Sequence, residues 1–586
     1  MCTFYIRSHR LAFAAITTGA HLTVGAVATP SISSHPSEIA DAARVAAFVH
    51  ASAVGLGTQD TLKAIDTMVD PEGRRHVRFS RTHRGLRVLG GDLVVHLTAK
   101  SAYDGVTRAF RRQIDVPATK PKLSAHQARA RAAAVAEGHA DPAELVVHAC
   151  GDRTRLAFQV RVTDSRTTEA GGARTVVLDA ASGEVLNNTP VNDSFLSPIV
   201  QDKLRERNER LTPVTGSAVF APPTADRPSV VASFPSAAKG TGSSLFVGNV
   251  PLSTTQTAKR SFTLKDATFG NIETRDAGGR KLERFNGGKA FTNTTNRWGN
   301  GAVGDRATAA VDSQYGISRS LEFYKRAFGR KGVKNAGGGA RALVHFGNKV
   351  GNAFWSPECD CMLYGDGDGK TFPKPLVVLD VTGHELAHGI IGETADLQPT
   401  RVDDEGNQFG EPGSLNESLA DIFGSAVEFA TNNPKTPPNY LLGEKLGLRQ
   451  KFLRRLDKPS LNRLEGAIDY WSKESYKAEV HAGSGVSSHA YYLLAEGSGR
   501  KRIGNVTYDS PTYDGSKLTG IGRNKATAIF YRALTRYMVS TTDFHDGRIA
   551  TLRAAKDMYG IGSREYKMVN KAWAAVNVTA ANKPHA

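Results

Sequence analysis

Two histidines and a glutamate stand close together in Val381-Thr382-Gly383-His384-Glu385-Leu386-Ala387-His388. On a helix, residues four apart share a face, so the imidazoles of His384 and His388 converge on one ion. Neutral imidazole is a good zinc ligand at about 2.0–2.1 Å. Glu385, next to the first ligand, is spaced to reach a water beside the ion rather than the ion itself. A catalytic zinc also needs a third protein ligand and an open position. The segment Gly413-Ser414-Leu415-Asn416-Glu417-Ser418-Leu419-Ala420-Asp421 offers that ligand. Glu417 closes a set of two histidines and one glutamate. Asp421, one turn on, is spaced to accept the other N–H of a ligating histidine. Alone, either acid reads as part of a solvated helix face; together, after a complete H-E-x-x-H, they favour a metal site. The chemistry implied is attack of an activated water on a polarised carbonyl.

These residues need rigid elements under them. Leu415, Leu419, Ile422, Phe423 and Val427 give the second segment one apolar side, as a packed helix requires. Ile317, Leu321, Tyr324 and Phe328 keep one face of another helix. Two further stripes, Ile529-Phe530-Ala533-Leu534-Tyr537 and Tyr566-Val569-Trp573-Val576, predict core helices near the C-terminus, with Gly560 as a helix stop between them. Residues 243–312 are β-rich in pattern, with Phe262-Thr263-Leu264 and Asn271-Ile272-Glu273-Thr274 as strands. After about residue 380 the chain reads as mainly helical.

The run H-E-L-A-H followed by G-S-L-N-E-S-L-A-D-I-F-G resembles the thermolysin family of zinc neutral metallopeptidases. The likeness extends to Asn352-Ala353-Phe354-Trp355, to Tyr364-Gly365-Asp366-Gly367-Asp368-Gly369, and to Gly520-Ile521-Gly522-Arg523 through Thr535. It covers roughly 243–580. The resemblance implies an α+β, bilobed catalytic domain: a β-rich lobe over 243–391 carrying the zinc helix, then a helical lobe over 392–582. His384, His388 and Glu417 would hold zinc, with Glu385 as general base and His481 stabilising the oxyanion. Asn352 and the Ala353 backbone would hold the substrate main chain, and Arg454 a substrate carbonyl, with Arg455 as the fallback. Phe372, Val381 and Leu453 would line a pocket for a bulky apolar residue after the cut bond. Asp380, Glu428 and Glu444 match acidic calcium ligands, while Asn439 and Leu441 replace carboxylates, so one calcium is expected rather than two. Three positions depart from the family. Gln408 replaces a tyrosine nine residues before Glu417, and Tyr476 replaces the aspartate five before His481, for which Glu479 or Glu474 could substitute. Gly483 replaces an asparagine. Thinner oxyanion support and reduced turnover are expected.

Upstream lie an FTP-like unit at 35–115, with one helical stretch (Ser37 to Val54), and a PepSY-like unit at 120–190, with an Ala-rich helix (Ala125 to Glu137). Both resemble the family's pro-segment, which acts as intramolecular inhibitor and chaperone. Residues 195–242, rich in Pro, Ala, Ser and Gly toward their C-terminal end, read as a processing linker. Arg7, His9 and Arg10 precede an apolar stretch from Leu11 to Ala28 that ends Ala-Val-Ala, the pattern of a signal peptide over 1–28; a buried helix or a retained anchor is the alternative. A secreted, extracellular monomer without stable membrane insertion is expected, acting on peptide and protein substrates. The formal net charge of +18 is not accompanied by basic runs interleaved with aromatics, so nucleic acid is not an expected partner. A catalytically weak relative that only binds peptides, or a cationic surface-binding module, are the competing readings. Cys359 and Cys361, one residue apart, allow either a labile disulfide or free thiols.

Overall fold

A computed structural model describes residues 35–116, 119–151, 153–164, 172–206, 234–282 and 284–582. The expected signal peptide therefore lies outside the described residues, as does the 207–233 part of the expected linker.

The two upstream units share one sheet. The helix Pro36–Val49 buries Ile39, Ala40, Ala43 and Ala47 against the meander Asp60–Val69, Arg75–His83, Leu93–Leu97 and Tyr103–Arg108. The helix Ala125–Val135 opens on a Ser124–Gln127 capping box and packs on a second set of strands, Glu144–His148, Arg155–Asp164 and Ala173–Asp179. Leu86–Leu89 runs parallel to Glu144–His148, with Val88 opposite Val147, and this pairing fuses the two sets into ten strands. Two separate units were expected; the continuous sheet depends on one long-range parallel pair, which local patterning does not reveal.

The catalytic part has a β-rich half and a helical half, as expected. Its first sheet starts with the antiparallel pair Ser236–Ser243 and Asn249–Ala258. A second sheet has the order 193–194, 353–356, 361–364, 341–344, 272–276 and 265–266. The long helix Arg306–Phe328 is capped by Asp305 and lies beside these sheets. Two helices, Leu379–Gly392 and Glu411–Thr431, cross at the centre of the molecule. Glycines set their spacing. A Cβ on Gly383 would come to 3.0 Å from Gly424 Cα, and one on Gly424 to 2.7 Å from the Asp380 carbonyl. Side chains there would push the helices apart. Helices Gly485–Ala495, Arg523–Tyr537, Phe544–Tyr559 and Arg564–Ala574 complete the second half, and Gly560 ends the third of these at φ 87°. Among the described residues no helix is long and apolar enough to cross a membrane.

Two expectations change in this region. Residues 195–206 are built in: Phe195 and Leu196 are fully buried, and Pro198–Glu206 is a helix. Residues 236–242 already belong to the first catalytic strand. What holds these stretches is tertiary packing, invisible in their composition. Cys359 and Cys361 are joined as a disulfide.

The upstream sheet is clamped to the helical half through charge. Asp70, with no exposed side-chain surface, accepts from Arg532 Nη1 at 2.9 Å and from Arg536 Nε at 3.4 Å. His76 Nε2 reaches the same carboxylate at 2.9 Å, and its Nδ1 lies 2.8 Å from His96 Nδ1. Arg74 pairs with Asp557 at 2.8 Å, Arg111 with Asp546, and Ser540 with Asp92.

Candidate metal centre and cleft

The crossing helices bring His384, His388 and Glu417 together, with one ligand atom of each within 4.8 Å of the others. Their partners fix the tautomers. His384 Nδ1 donates to Asp421 Oδ1 at 2.8 Å. His388 Nδ1 donates to Asn416 Oδ1 at 2.9 Å, and Asn416 shows that oxygen because its Nδ2 donates to the Leu397 carbonyl. Both Nε2 atoms are left with lone pairs, and they face each other at 2.9 Å. Burial pushes the His388 pKa down to about 4 and that of His384 well below its ordinary value, so neither ring supplies a proton to bridge the gap. Glu417 Oε2 stands 3.5 Å from His384 Nε2, and Glu417 Oε1 3.7 Å from His388 Nε2. Opposed lone pairs beside a buried carboxylate suit a cation of about +2 charge, and two imidazoles with one carboxylate suit zinc.

Glu385 is fully buried, and neither of its carboxylate oxygens has a hydrogen-bond partner among the described residues. Burial, with Glu417 adding repulsion, raises its pKa well above the ordinary carboxylate value. A strongly basic carboxylate with free lone pairs is what a proton acceptor needs.

His481 sits on the opposite wall. Its Nδ1 and backbone N–H both reach Glu479, at 2.8 and 3.0 Å, while Nε2 meets the Ser194 carbonyl at 2.8 Å. Acceptors at both nitrogens make the ring a double donor, an imidazolium. Burial opposes that charge, but Glu417 and Glu479 outweigh it and hold the pKa at about 10. Glu479 is thus the carboxylate in contact with His481, while Glu474 pairs with Lys477 and Tyr476 points to solvent, 56% exposed. Gly483 follows from packing, since a Cβ there would come to 2.2 Å from Ser414 Oγ. Gln408 and Phe409 form a short hairpin with Arg401–Val402, with the Arg401 guanidinium over the Phe409 ring.

The expected peptide-holding residues are all engaged, by the chain's own segment 193–196. This strand lies antiparallel to the edge strand Ala353–Ser356, with Ser194 opposite Phe354. The Phe195 N–H donates to the Ala353 carbonyl at 3.0 Å. Asn352 Oδ1 accepts from Leu196 N–H at 3.0 Å, and its Nδ2 donates to the Leu196 carbonyl at 3.0 Å. Arg454 Nη1 donates to the Phe195 carbonyl at 2.9 Å. Arg454 is itself fixed by Asp421, at 2.8 and 3.0 Å, and by Glu465 at 3.0 Å. Arg455 instead turns away to Asp457. The Phe195 ring lies edge-on to His384 at 5.1 Å and under the Arg454 guanidinium at 4.6 Å. It shares one buried apolar cluster with Phe372, Val381 and Leu453. Trp355, on the same edge strand, fits over Gly389 of the histidine helix, where a Cβ would come within 2.6 Å of the indole.

Asp380, Glu428 and Glu444 gather where the two helices begin and end. Asp380 Oδ2 accepts from Gly443 N–H at 2.6 Å, Glu428 Oε2 from Asn439 N–H at 3.2 Å, and Glu444 Oε1 from Asn439 Nδ2 at 3.3 Å. Burial, then mutual repulsion, raises Glu428 well above its ordinary value and Glu444 to about 8. Asn416, Glu465 and Ser194–Leu196 were not singled out from sequence for these roles. Asn416 carried the clearest local cue, lying one residue before Glu417.

Known proteins bear on this geometry. Three family models match in chain order: the Fungalysin/Thermolysin Propeptide Motif over 60–110, the catalytic domain of thermolysin metallopeptidase over 239–392, and its alpha-helical domain over 407–578. The transglutaminase-activating metalloprotease of Streptomyces mobaraensis is 37% identical over 90% of this chain, which spans 62% of that relative's length. Bacillolysin of Bacillus cereus is 30% identical over 86% of this chain and 82% of its own. Thermolysin of Bacillus sp. (strain EA1) is 29% identical over 90% of this chain and 87% of its own. The solved precursor of protealysin from Serratia proteamaculans matches 53% of this chain at 25% identity, with a TM-score of 0.40. Catalytic, helical and propeptide parts thus stand in order in one metalloendopeptidase chain, which belongs to the thermolysin family of metallopeptidases.

Proposed function

We propose that this chain is a secreted zinc endopeptidase, made as a latent monomeric precursor, that cuts peptide bonds on the N-terminal side of bulky apolar residues. The observation that carries the reading is the pair of neutral imidazoles whose Nε2 lone pairs face each other at 2.9 Å beside Glu417. His384, His388 and Glu417 would hold one zinc, which when bound supplies a Lewis acid for the carbonyl and lowers the pKa of a water to about 7.

The chain's own residues do the rest. Asn352 and the Ala353 carbonyl hold the substrate extended along the edge strand. Arg454 grips the carbonyl after the cut bond. Glu385, buried and unpartnered, accepts a proton from the attacking water and passes it to the departing amide nitrogen. His481, kept protonated by Glu479, donates to the carbonyl oxygen as it gains charge. Phe372, Val381 and Leu453 supply the apolar pocket. Residues 35–194 act as the inhibitory pro-segment, supported by the propeptide motif over 60–110 and the Asp70 clamp. Export is supported by the leader pattern at 1–28. One calcium at Asp380, Glu428 and Glu444 would neutralise carboxylates that burial and repulsion otherwise drive to protonate.

Casein hydrolysis tests the reading. It is expected to vanish with a chelator, to return with zinc, and to fall about 10²–10⁴-fold in Glu385→Gln. That variant should keep its zinc, because Glu385 does not ligate. Unchanged turnover in Glu385→Gln contradicts the assignment.

A further inference from the structure

We propose that the chain holds a second transition-metal ion of the zinc type, separate from the triad and bound by Glu411, Asp543 and His545, where it pins the start of the Glu417 helix to the helix Phe544–Tyr559. The proposal does not depend on the endopeptidase reading.

One carboxylate oxygen each of Glu411 and Asp543 and one ring nitrogen of His545 lie within 4.8 Å of one another. Glu411 opens the helix that carries Glu417, about 9 Å along its axis from that residue. Asp543 caps the helix Phe544–Tyr559 through Oδ1, which accepts from the Asp546 N–H at 2.7 Å. The two helix starts already touch. Glu411 Oε2 accepts from the Phe544 N–H at 3.1 Å, and Oε1 accepts from Trp471 Nε1 at 2.8 Å. Glu411 and His545 are each only 6% exposed.

The histidine points to an ion rather than to two carboxylates sharing a proton. His545 Nε2 lies 3.2 Å from Asn582 Oδ1. Asn582 shows its oxygen there, because its Nδ2 donates to the Asn577 carbonyl and its Oδ1 accepts from the Thr579 N–H. Nε2 therefore carries the proton and donates it, and the lone pair belongs to Nδ1. Nδ1 is buried and has no hydrogen-bond partner among the described residues. A buried acceptor without a donor costs free energy, and a cation shared with two carboxylates removes that cost. Trp471 packs edge-on against the ring at 4.8 Å. The local charges are also unbalanced. Burial, then the Asp543 charge, raises the Glu411 carboxyl to about 7, and burial, then Asp546, raises Asp543. Arg111, from the upstream sheet, is engaged by Asp546 and is 67% exposed, so it offsets this burial poorly. An imidazole with carboxylates suits zinc, whereas calcium and magnesium take oxygen ligands. With a single imidazole, and with both Glu411 oxygens already shared with donors, this ion is held more weakly than the one at His384 and His388. It leaves during purification in metal-free buffer.

Zinc titration of the full-length Glu385→Gln chain tests this, by calorimetry with metal analysis, in excess calcium that occupies the Asp380 cluster. The chain is expected to start with one zinc and to take up a second, which should raise its unfolding temperature. Asp543→Asn keeps a good helix cap while removing a ligand charge, and His545→Gln removes the ring nitrogen. Each should weaken the second zinc at least about 10-fold and keep the first, whose retention reports an intact fold. A chain that stays at one zinc when zinc is supplied, as a proton shared between Glu411 and Asp543 would leave it, overturns the proposal. So does a second zinc that binds undiminished in both variants, or one that binds only when calcium is absent.

Discussion

Replacing Asp421 with asparagine separates positioning from ligation at the metal centre. Asp421 touches no substrate. It receives His384 Nδ1 at 2.8 Å and takes Arg454 in a two-point grip at 2.8 and 3.0 Å. Burial opposes its charge, yet Arg454 and His384 prevail and hold its pKa at about 2, below the ordinary 3.8. That difference corresponds to about 2 kcal/mol of preference for the charged form in the folded state. The folded pKa is depressed, so this stability is present above pH 3.8 and is lost as pH falls toward 2. Asparagine keeps one acceptor for His384 but turns an N–H toward Arg454, breaking half the grip and leaving a buried guanidinium short of charge. Loss of such a partner typically lowers metal affinity about 10–100-fold, and a loss of about 2–3 kcal/mol lowers Tm by several degrees. Zinc affinity by chelator competition and thermal unfolding, both in a Glu385→Gln background that prevents self-cutting, read the two effects. Unchanged affinity and unchanged unfolding in Asp421→Asn would refute the reasoning.

Other consequences follow from packing and charge. Asp70→Asn should raise the dissociation constant of the cut pro-segment at least 10²-fold, because it leaves Arg532 and Arg536 facing each other without their shared carboxylate; calorimetry on the nicked complex measures this. Acid should loosen the same contact. Burial, then His76, depresses His96 well below 6.5, so the docked state binds fewer protons than the released one, and docking weakens as pH falls below about 6.5. Gly483→Ala should cost about 1–3 kcal/mol by driving a Cβ into Ser414 Oγ, with part recovered in a Ser414→Gly background, as thermal unfolding would report.

Much of the centre was legible because it is local. H-E-x-x-H needs only the period of one helix, and Glu417 and Asp421 lie one turn apart on the next. The separation of the two helices was not legible: it depends on Gly383 meeting Gly424, a contact across about 40 residues of chain. Replacement of an aspartate by Glu479 was open in sequence because a carboxylate three residues nearer the histidine reaches it only through the turn at 479–481. Ser194–Leu196 was read into a linker boundary because short polar and apolar residues there carry no periodicity; their place is set by Asn352, Ala353 and Arg454, more than 150 residues away. The fusion of the upstream units through Val88 and Val147 has the same non-local origin.

The central claim is tested most directly by metal analysis of the full-length Glu385→Gln chain, purified without chelators, alongside the same chain carrying His388→Ala. One zinc per chain is predicted for the first and a large loss for the second. A first protein that carries no zinc, and takes up none when supplied, would contradict the account.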